Sequence, residues 1–407
     1  MLTREENELL TRIGPGTPMG DVLRRYWIPA LISDQLPEPG CDPIRLKLLG
    51  EELVAFRDSE GQVGALEEFC AHRGASLFYG RNERDGLTCI YHGWKYDVDG
   101  TVLQTPNEVG VRAYEGRVKL TAYPTHEACG VVWLYMGPRE NMPPFPDFPW
   151  NVKTNVHAKK VLLDCSYLQS VEGGIDSSHV SFLHRFGIAP DRTALITRDV
   201  APRLEIQDMP YGFRYCALRQ ADEGQQYVRI TPFIMPWYTI VPFTTAQTQA
   251  AHAWVPIDDT HCWAFTFNFT FADDEPLPPE KWTHLYEMKD RFNKLRTRAN
   301  DHLQDREAMR SESWSGISEI PDQDAAVQES MKPIVDRTKE HLGRADLAVA
   351  HMRALMLQSV KAVQEGRDPV GIGTEFPASE ICCINVVVPA DKPWQELGLP
   401  AEPSLAR

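Results

Sequence analysis

No run in the sequence approaches the roughly 20 consecutive apolar residues that a bilayer-spanning helix requires, which excludes an ordinary helical membrane protein. Basic charge is scarce as well. Lys and Arg number 42 against 57 Asp and Glu, a formal net charge of −15. Nucleic-acid affinity rests on neutralising phosphates, so this balance argues against a polyanion-binding protein. It leaves room for a small anion held by one or two local arginines, and for a basic protein partner. The start, Met1-Leu-Thr-Arg-Glu-Glu-Asn-Glu, lacks the basic and apolar regions of a secretion signal, so a cytoplasmic location is expected. Cysteine is sparse and odd in number: nine, at 41, 70, 89, 129, 165, 216, 262, 382 and 383. Such a scattered set is not a disulfide framework. There is no internal repeat and no low-complexity tract.

What is present is an ordinary globular composition, 43% hydrophobic and 24% charged over 407 residues, with length for two or three domains. Residues 4–28 read as a helical entry interrupted by Gly14-Pro15-Gly16. From Pro43 to Gly137, short apolar runs (44–49, 53–57, 131–136) alternate with Gly and Pro breaks, the texture of a small all-β domain. Asp99-Gly100 marks a hairpin turn. The Pro-rich stretch 138–149 reads as an extended connector. Beyond it, Gln226–Phe243 and Ala251–Phe271 read as long strands, and 278–301 and 323–366 as helices. The end, from about Asp391, reads as extended. The expected fold class is α+β: a helical segment over 1–25, an all-β domain over 26–137, and an antiparallel sheet with packed helices over 138–407.

Two clusters of metal-capable side chains stand out. Cys70-Ala-His72 is followed, after sixteen intervening residues, by Cys89-Ile-Tyr-His92. Two thiols and two imidazoles suit one tetrahedral zinc, or a Rieske [2Fe–2S] cluster with thiolates on one iron and imidazoles on the other. The Cys-x-His half is short for zinc, whose loops commonly space ligands by two to four residues. The repeated Cys/His pairing argues against coincidence in a core. The second cluster is Asp176-Ser-Ser-His179-Val-Ser-Phe-Leu-His184. Two imidazoles and a carboxylate with open positions form the facial set of non-haem Fe(II) oxygenases. On an ideal helix, residues five apart sit about 140° apart. His179 and His184 therefore share a metal only if the helix ends or bulges between them. Spacing alone does not find the third ligand, since any acid of the second domain could serve.

Cys70-Ala-His72-Arg-Gly-Ala and Cys89-Ile-Tyr-His92-Gly-Trp-Lys-Tyr closely resemble the cluster loops of Rieske-type non-haem iron oxygenases, with Ala71 where Pro is commoner. Gly74 and Gly93 would there let backbone amides approach the cluster sulfurs. The segment Tyr167–His184 is similar to the mononuclear iron motif of ring-hydroxylating oxygenases. Gly-Ala-Ser-Leu-Phe-Tyr-Gly-Arg (74–81) and Asp-Arg-Thr-Lys-Glu-His-Leu (336–342) look like the phthalate 4,5-dioxygenase-like branch, alpha subunit. The resemblance spans nearly the whole chain. It implies a Rieske domain followed by a helix-grip-like catalytic domain, with a [2Fe–2S] cluster on Cys70, His72, Cys89 and His92. It also implies Fe(II) on His179, His184 and Asp324, with Asp322, Asp305 and Glu319 the nearby alternatives to the last. Asp176 is one acid too many for the triad. The resemblance makes it the catalytic bridge from His179 to His92 of a neighbouring subunit, hence a homotrimer or stacked hexamer. A separate flavin and iron–sulfur reductase would supply electrons from NAD(P)H.

The branch contains cis-dihydroxylases of aromatic acids and O-demethylases of methoxylated aromatics. Aromatic acids need a cation. Alternation puts Arg214 on the side of Cys216 and Leu218, and Arg229 lies on a second strand; either would clamp a carboxylate if it faced the site. The run Phe233–Trp237 would line an aromatic pocket or simply pack in the core. Two enzymatic readings result, dihydroxylation and O-demethylation of an aromatic acid, with an electron-transfer protein as the rival from another class. Iron content separates the classes: about three irons per chain for an oxygenase, about two for a carrier, and zinc for a structural site.

Overall fold

Thr3 opens the chain's first helix by a reciprocal cap. Its hydroxyl accepts the Glu6 N–H at 3.1 Å, and the Glu6 carboxylate accepts the Thr3 N–H at 2.7 Å. This helix, α1 (Arg4–Thr11), ends before Gly14-Pro-Gly16, and Thr17 caps a second, α2 (Pro18–Leu23), with Pro18 in its first turn. The computed structural model describes residues 1–108, 114–188, 194–242, 247–272, 277, 286–373 and 375–398.

The β-rich region contains three small antiparallel sheets. Strand β1 (Trp27–Ile32) will pair with a later strand. β2 (Ile44–Leu48), β3 (Glu51–Arg57) and β4 (Val63–Glu67) form a meander. β5 (Arg81–Glu83), β6 (Gly86–Thr88), β7 (Lys95–Tyr96) and β8 (Val102–Gln104) make a four-stranded sheet. The expected turn at Asp99-Gly100 is there: Asp97 Oδ1 accepts the Asp99 and Thr101 amides at 3.0 and 2.8 Å, and Gly100 takes φ +80°. β9 (Thr125–Ala128) and β10 (Val131–Tyr135) follow, and β1 pairs with β10. A small core of Val54, Phe56, Leu66, Leu77, Leu87, Trp94 and Tyr96 also contains Cys70 and Cys89. The β1–β10–β9 sheet instead packs into the large core of the rest of the chain, together with α1 and α2.

After the connector come α3 (Pro149–Val152), β11 (Val156–Leu163), α4 (Tyr167–Gly174), α5 (Arg185–Ile188) and α6 (Leu195–Arg198). Then follow β12 (Arg203–Met209), β13 (Gly212–Gln220), β14 (Gln225–Ile234), β15 (Tyr238–Val241), β16 (Thr248–Asp258) and β17 (His261–Thr270). Helices α7 (Ile320–Ser330) and α8 (Leu347–Gln364) precede β18 (Ile384–Pro389). The sheet is antiparallel throughout, ordered β11-β17-β16-β15-β14-β13-β12, with β18 beside the first half of β14. Among the described residues, no helix is long and apolar enough to cross a membrane.

Two expected helices differ. Of 278–301, residues 278–285 lie outside the described residues, and 286–297 form a reversal rather than a helix. Asp290 Oδ1 accepts the Phe292 and Asn293 amides at 3.1 Å each, and Leu295 N–H returns to Glu287 O at 2.7 Å. A short acid that bonds its own following amides outcompetes helix propagation. The stretch 323–366 is two helices, not one, because residues 331–346 turn back to bury charge. Likewise, the expected strand 226–243 divides into β14 and β15, with Phe243 outside the described residues, as are 399–407 of the chain's end.

That buried charge is a four-element tie. Fully buried Arg337 donates to both oxygens of Glu172 at 2.8 Å and to Asn7 Oδ1 at 3.1 Å. Arg353 donates to Glu172 at 2.7 Å and to both oxygens of Glu340 at 2.6 and 3.0 Å. Thus α1, α4, the 337–340 turn and α8 meet on one carboxylate. Burial pushes the Glu172 carboxyl up, but the two guanidiniums outweigh it and hold it below its ordinary value. Replacing Glu172 by Gln is expected to cost about 3–5 kcal/mol of stability, since it leaves buried guanidinium charge uncompensated. Denaturant unfolding checks this. The deficit should be full above the ordinary Glu value of about 4.3 and fade as pH falls through the lowered folded-state value.

Candidate metal centres

The two thiol–imidazole loops are built alike. The amide four residues after each cysteine donates back to its carbonyl, Gly74 to Cys70 at 2.8 Å and Gly93 to Cys89 at 2.9 Å. Both glycines take left-handed backbone, φ +71° and +77°. Their own amides close the loops onto the cysteine carbonyls, while the Tyr91 and His92 amides within the second loop approach the Cys89 sulfur. Cys70 and Cys89 are buried, while His72 and His92 are half-buried, with ring centroids 4.5 Å apart and Trp94 stacked on His72. The buried His92 Nδ1 has no hydrogen-bond partner among the described residues, as a metal-directed nitrogen would not. Tyr96, which the sequence reading missed, places its hydroxyl 3.0 Å from Cys70 Sγ and accepts the Ala71 N–H at 3.1 Å. Two sulfurs inside and two imidazoles outside fit the asymmetric ligand set of a Rieske cluster.

The second centre forms where α4 stops. A β-carbon on Gly174 would lie 2.0 Å from the Trp254 ring, and one on Gly173 2.6 Å from the Gln328 amide. Only glycine lets the helix end pack this closely. α4 has ended before either histidine, and the chain then takes a 3-10 turn over His179–Ser181 that stops before α5, so no continuous helix carries both histidines, as their spacing required. His179 Nε2 and His184 Nε2 lie 3.2 Å apart, and Asp324 Oδ1 on α7 is 3.5 and 3.1 Å from them. One donor atom from each lies within 4.8 Å of the others, a compact facial set. Two of the alternative acids are used elsewhere, Asp322 accepting the Glu287 amide and Asp305 those of Glu307 and Ala308, while Glu319 stands at the N-cap position of α7 without a side-chain cap hydrogen bond.

Each histidine has an orienting partner. Asp176 Oδ2 lies 3.4 Å from His179 Nδ1, and its Oδ1 accepts the Ser178 amide at 2.7 Å. Burial would raise the Asp176 carboxyl, yet these contacts hold it below its ordinary value. For His184 the partner is Gln323, unforeseen although it precedes Asp324 in sequence. Gln323 Nε2 donates to Ile317 O at 2.8 Å, which leaves Oε1 as the acceptor for His184 Nδ1 at 2.8 Å. His184 Nε2 then presents its lone pair to the centre.

A cavity of about 290 Å³ opens on these three side chains. Its other wall is the sheet, with Tyr215, Arg229, Thr231, His252, Trp254 and Asn268. Arg229 is buried there and donates to Pro242 O at 3.1 Å, so of the two candidate arginines it is the one that lines the cavity. Arg214 faces the opposite side. Its guanidinium bonds Gln207 and the carbonyls of Gln395 and Leu397, beside Trp394. Alternation correctly grouped Arg214 with Cys216 and Leu218, but that face is covered by the chain's C-terminal segment rather than by the cavity. Phe233, Ile234, Met235 and Trp237 pack in the core, away from this wall. Half-buried His252 is pushed down to about 4 by desolvation and then by Lys159, so it stands neutral at neutral pH.

Residues 26–115 match the family model of the Rieske [2Fe-2S] domain, and 134–404 that of the LigXa C-terminal domain like family. The chain is 39% identical to the phthalate 4,5-dioxygenase oxygenase subunit of Pseudomonas putida, over 97% of this chain and 94% of that one. It is 38% identical to the 3-chlorobenzoate-3,4-dioxygenase oxygenase subunit of Comamonas testosteroni, over 91% and 92%. Among solved structures, the carbazole-bound oxygenase in its ferredoxin complex, from carbazole 1,9a-dioxygenase, shares the fold with a TM-score of 0.61. That alignment covers 92% of this chain and 99% of that one at 20% identity.

Replacing Gln323 by Leu is expected to lower ferrous-iron affinity about 10- to 100-fold, because His184 loses the acceptor that sets its tautomer. Anaerobic iron titration of the second centre checks this, with the visible spectrum of the first centre expected unchanged.

Proposed function

The chain belongs to the Rieske-type aromatic-ring oxygenases and is an oxygenase subunit of that family, and on that premise we propose that it cis-dihydroxylates an aromatic carboxylic acid. In this reading Cys70, His72, Cys89 and His92 hold the [2Fe–2S] cluster, and His179, His184 and Asp324 hold the mononuclear Fe(II). When bound, the cluster supplies electrons singly and the iron supplies the reduction of dioxygen beside the substrate. The chain's own residues do the rest. Asp176 holds the His179 ring from behind, Gln323 holds His184, and Trp254 and the glycine pair shape the wall. The observation that carries the reading is the convergence of His179, His184 and Asp324 on a cavity whose far wall offers Arg229.

The acid specificity is supported by two things. Arg229 can meet a carboxylate through paired, charge-assisted hydrogen bonds. The two relatives above are named for phthalate and 3-chlorobenzoate, both aromatic acids. A cavity of about 290 Å³ lies at the small end of ligand pockets and suits one substituted ring. An electron carrier would have no use for it.

A head-to-tail homotrimer, alone or stacked as a hexamer, fits the surface. His72 and His92 face outward beside exposed Ile90 and Tyr91, while exposed Phe182 and Trp314 lie near the second centre's loop. Each subunit would then set its cluster edge against Asp176 of the next. Electrons would come from NAD(P)H through a separate flavin and iron–sulfur reductase, in keeping with a cytoplasmic location.

The test is turnover by the reconstituted holoenzyme with NADH, a phthalate-type reductase and a panel of aromatic acids. A cis-diol formed in step with oxygen uptake is expected. Formaldehyde and a phenol from methoxylated acids would assign O-demethylation instead, and no acid-dependent oxygen uptake would overturn the reading. Asp176→Asn should keep about three irons per chain while turnover drops about 100-fold or more. Arg229→Met should raise KM for acids about 10- to 100-fold, the loss of a charged hydrogen bond.

A further inference from the structure

Asn268 sits mid-strand on β17, 1% exposed, on the cavity wall. Neither its Oδ1 nor its Nδ2 has a hydrogen-bond partner among the described residues. Gln169 and Gln249, buried in the same domain, are served at both ends, and Gln328 lacks a partner at its Oε1 among the described residues. Gln169 donates to Gln328 O and Lys332 O and accepts the Val335 amide, while Gln249 donates to Cys383 O and accepts the Cys383 amide.

The sheet register explains why Asn268 is left without partners. Its cross-strand neighbours are Ala250, which has no polar side-chain atom, and His157 on the edge strand. Along its own strand, Thr266 and Thr270 share its face, but the first hydroxyl pairs with His252 Nδ1 at 3.3 Å and the second accepts the Ala272 amide at 3.0 Å. A buried carboxamide with both ends unmet is destabilising unless something entering the cavity satisfies it. An apolar residue would pack there without that penalty.

We propose that Asn268 is a specificity-determining residue that reads a hydroxyl substituent on the substrate ring. A carboxamide offers a donor and an acceptor together. A hydroxyl answers both; a carboxylate answers only the donor, and a methyl or halogen neither. The inference rests on the aromatic-acid reading above and deepens it. Arg229 takes the carboxylate from β14, the ring lies between, and Asn268 meets a neutral polar group from β17, three strands away. The favoured substrates are hydroxylated aromatic acids.

The probes are the three hydroxybenzoates, each paired with the methylbenzoate of the same ring position, with benzoate as reference. Calorimetric titration of the iron-loaded holoenzyme gives their affinities. At one ring position the wild-type protein should bind the hydroxy acid about tenfold more tightly than its methyl counterpart. Asn268→Leu, close in size, should erase or reverse that preference while leaving benzoate affinity and iron content unchanged. If the leucine variant loses iron, Asn268→Val makes the same comparison. Equal affinities in the wild type, a preference that survives in the variant, or uniform weakening of all the acids would each overturn the assignment of Asn268 and leave the aromatic-acid reading intact. Failure of every benzoate to bind the wild type would overturn that reading, and the assignment with it.

Discussion

The catalytic end of the molecule depends on where α4 stops. Two histidines five residues apart do not meet on a continuous helix, so the chain must break its regular geometry between them. α4 ends before the first of them, where Gly173 and Gly174 bring backbone against Gln328 and Trp254 and a side chain would collide, and a short 3-10 turn over His179–Ser181 ends before the second. The same packing makes Trp254 part of the cavity wall, so one close approach both ends the helix and shapes the space beside the centre. Glu172, one residue earlier, anchors the helix end to α1 and α8 through Arg337 and Arg353. That explains why the 331–346 segment gives up helix: it delivers a buried guanidinium to this carboxylate.

The two centres are supported differently. The thiol–imidazole loops stand on a small separate core, sulfurs inward and rings outward, which places the imidazole edge at the surface. The histidine–carboxylate centre is held from behind by hydrogen bonds that its imidazoles donate to a neutral and a charged acceptor, Gln323 and Asp176. Orientation by such contacts matters because a ligand ring free to turn presents the wrong nitrogen. Between the centre and the sheet, the cavity carries charge at Arg229 and neutral polarity at His252, Thr266 and Asn268. Arg219 adds a second buried cation behind the wall, donating to Ser177 O at 2.9 Å, and burial lowers it to about 10. A wall of this kind favours an anion at one end and an uncharged hydrogen-bonding group at the other.

The metal-capable residues were legible because ligand chemistry restricts both residue type and local spacing. Cys70, His72, Cys89 and His92 sit on two short loops, and Asp176, His179 and His184 on one, so near neighbours in sequence are near neighbours in space. Strands rich in β-branched and aromatic residues, and the Asp99-Gly100 turn, were readable for the same local reason. Asp324 was reachable only through likeness to a family, since it comes from α7, far along the chain. Period-two alternation told which residues share a face with Arg214 and Arg229, but not which face the cavity takes.

Sequence by itself therefore determined two metal-capable residue sets, an all-β domain before an antiparallel sheet, and a requirement that no continuous helix join His179 to His184. Only the tertiary structure decided which arginine enters the cavity, which acid lies beside the two histidines, and which amides hold or await a partner. Those outcomes depend on packing between elements far apart in sequence: the C-terminal segment over Arg214, α7 against α4, Ala250 beside Asn268. Local spacing carries no information about such contacts, because each is set by the partner that happens to cover the residue.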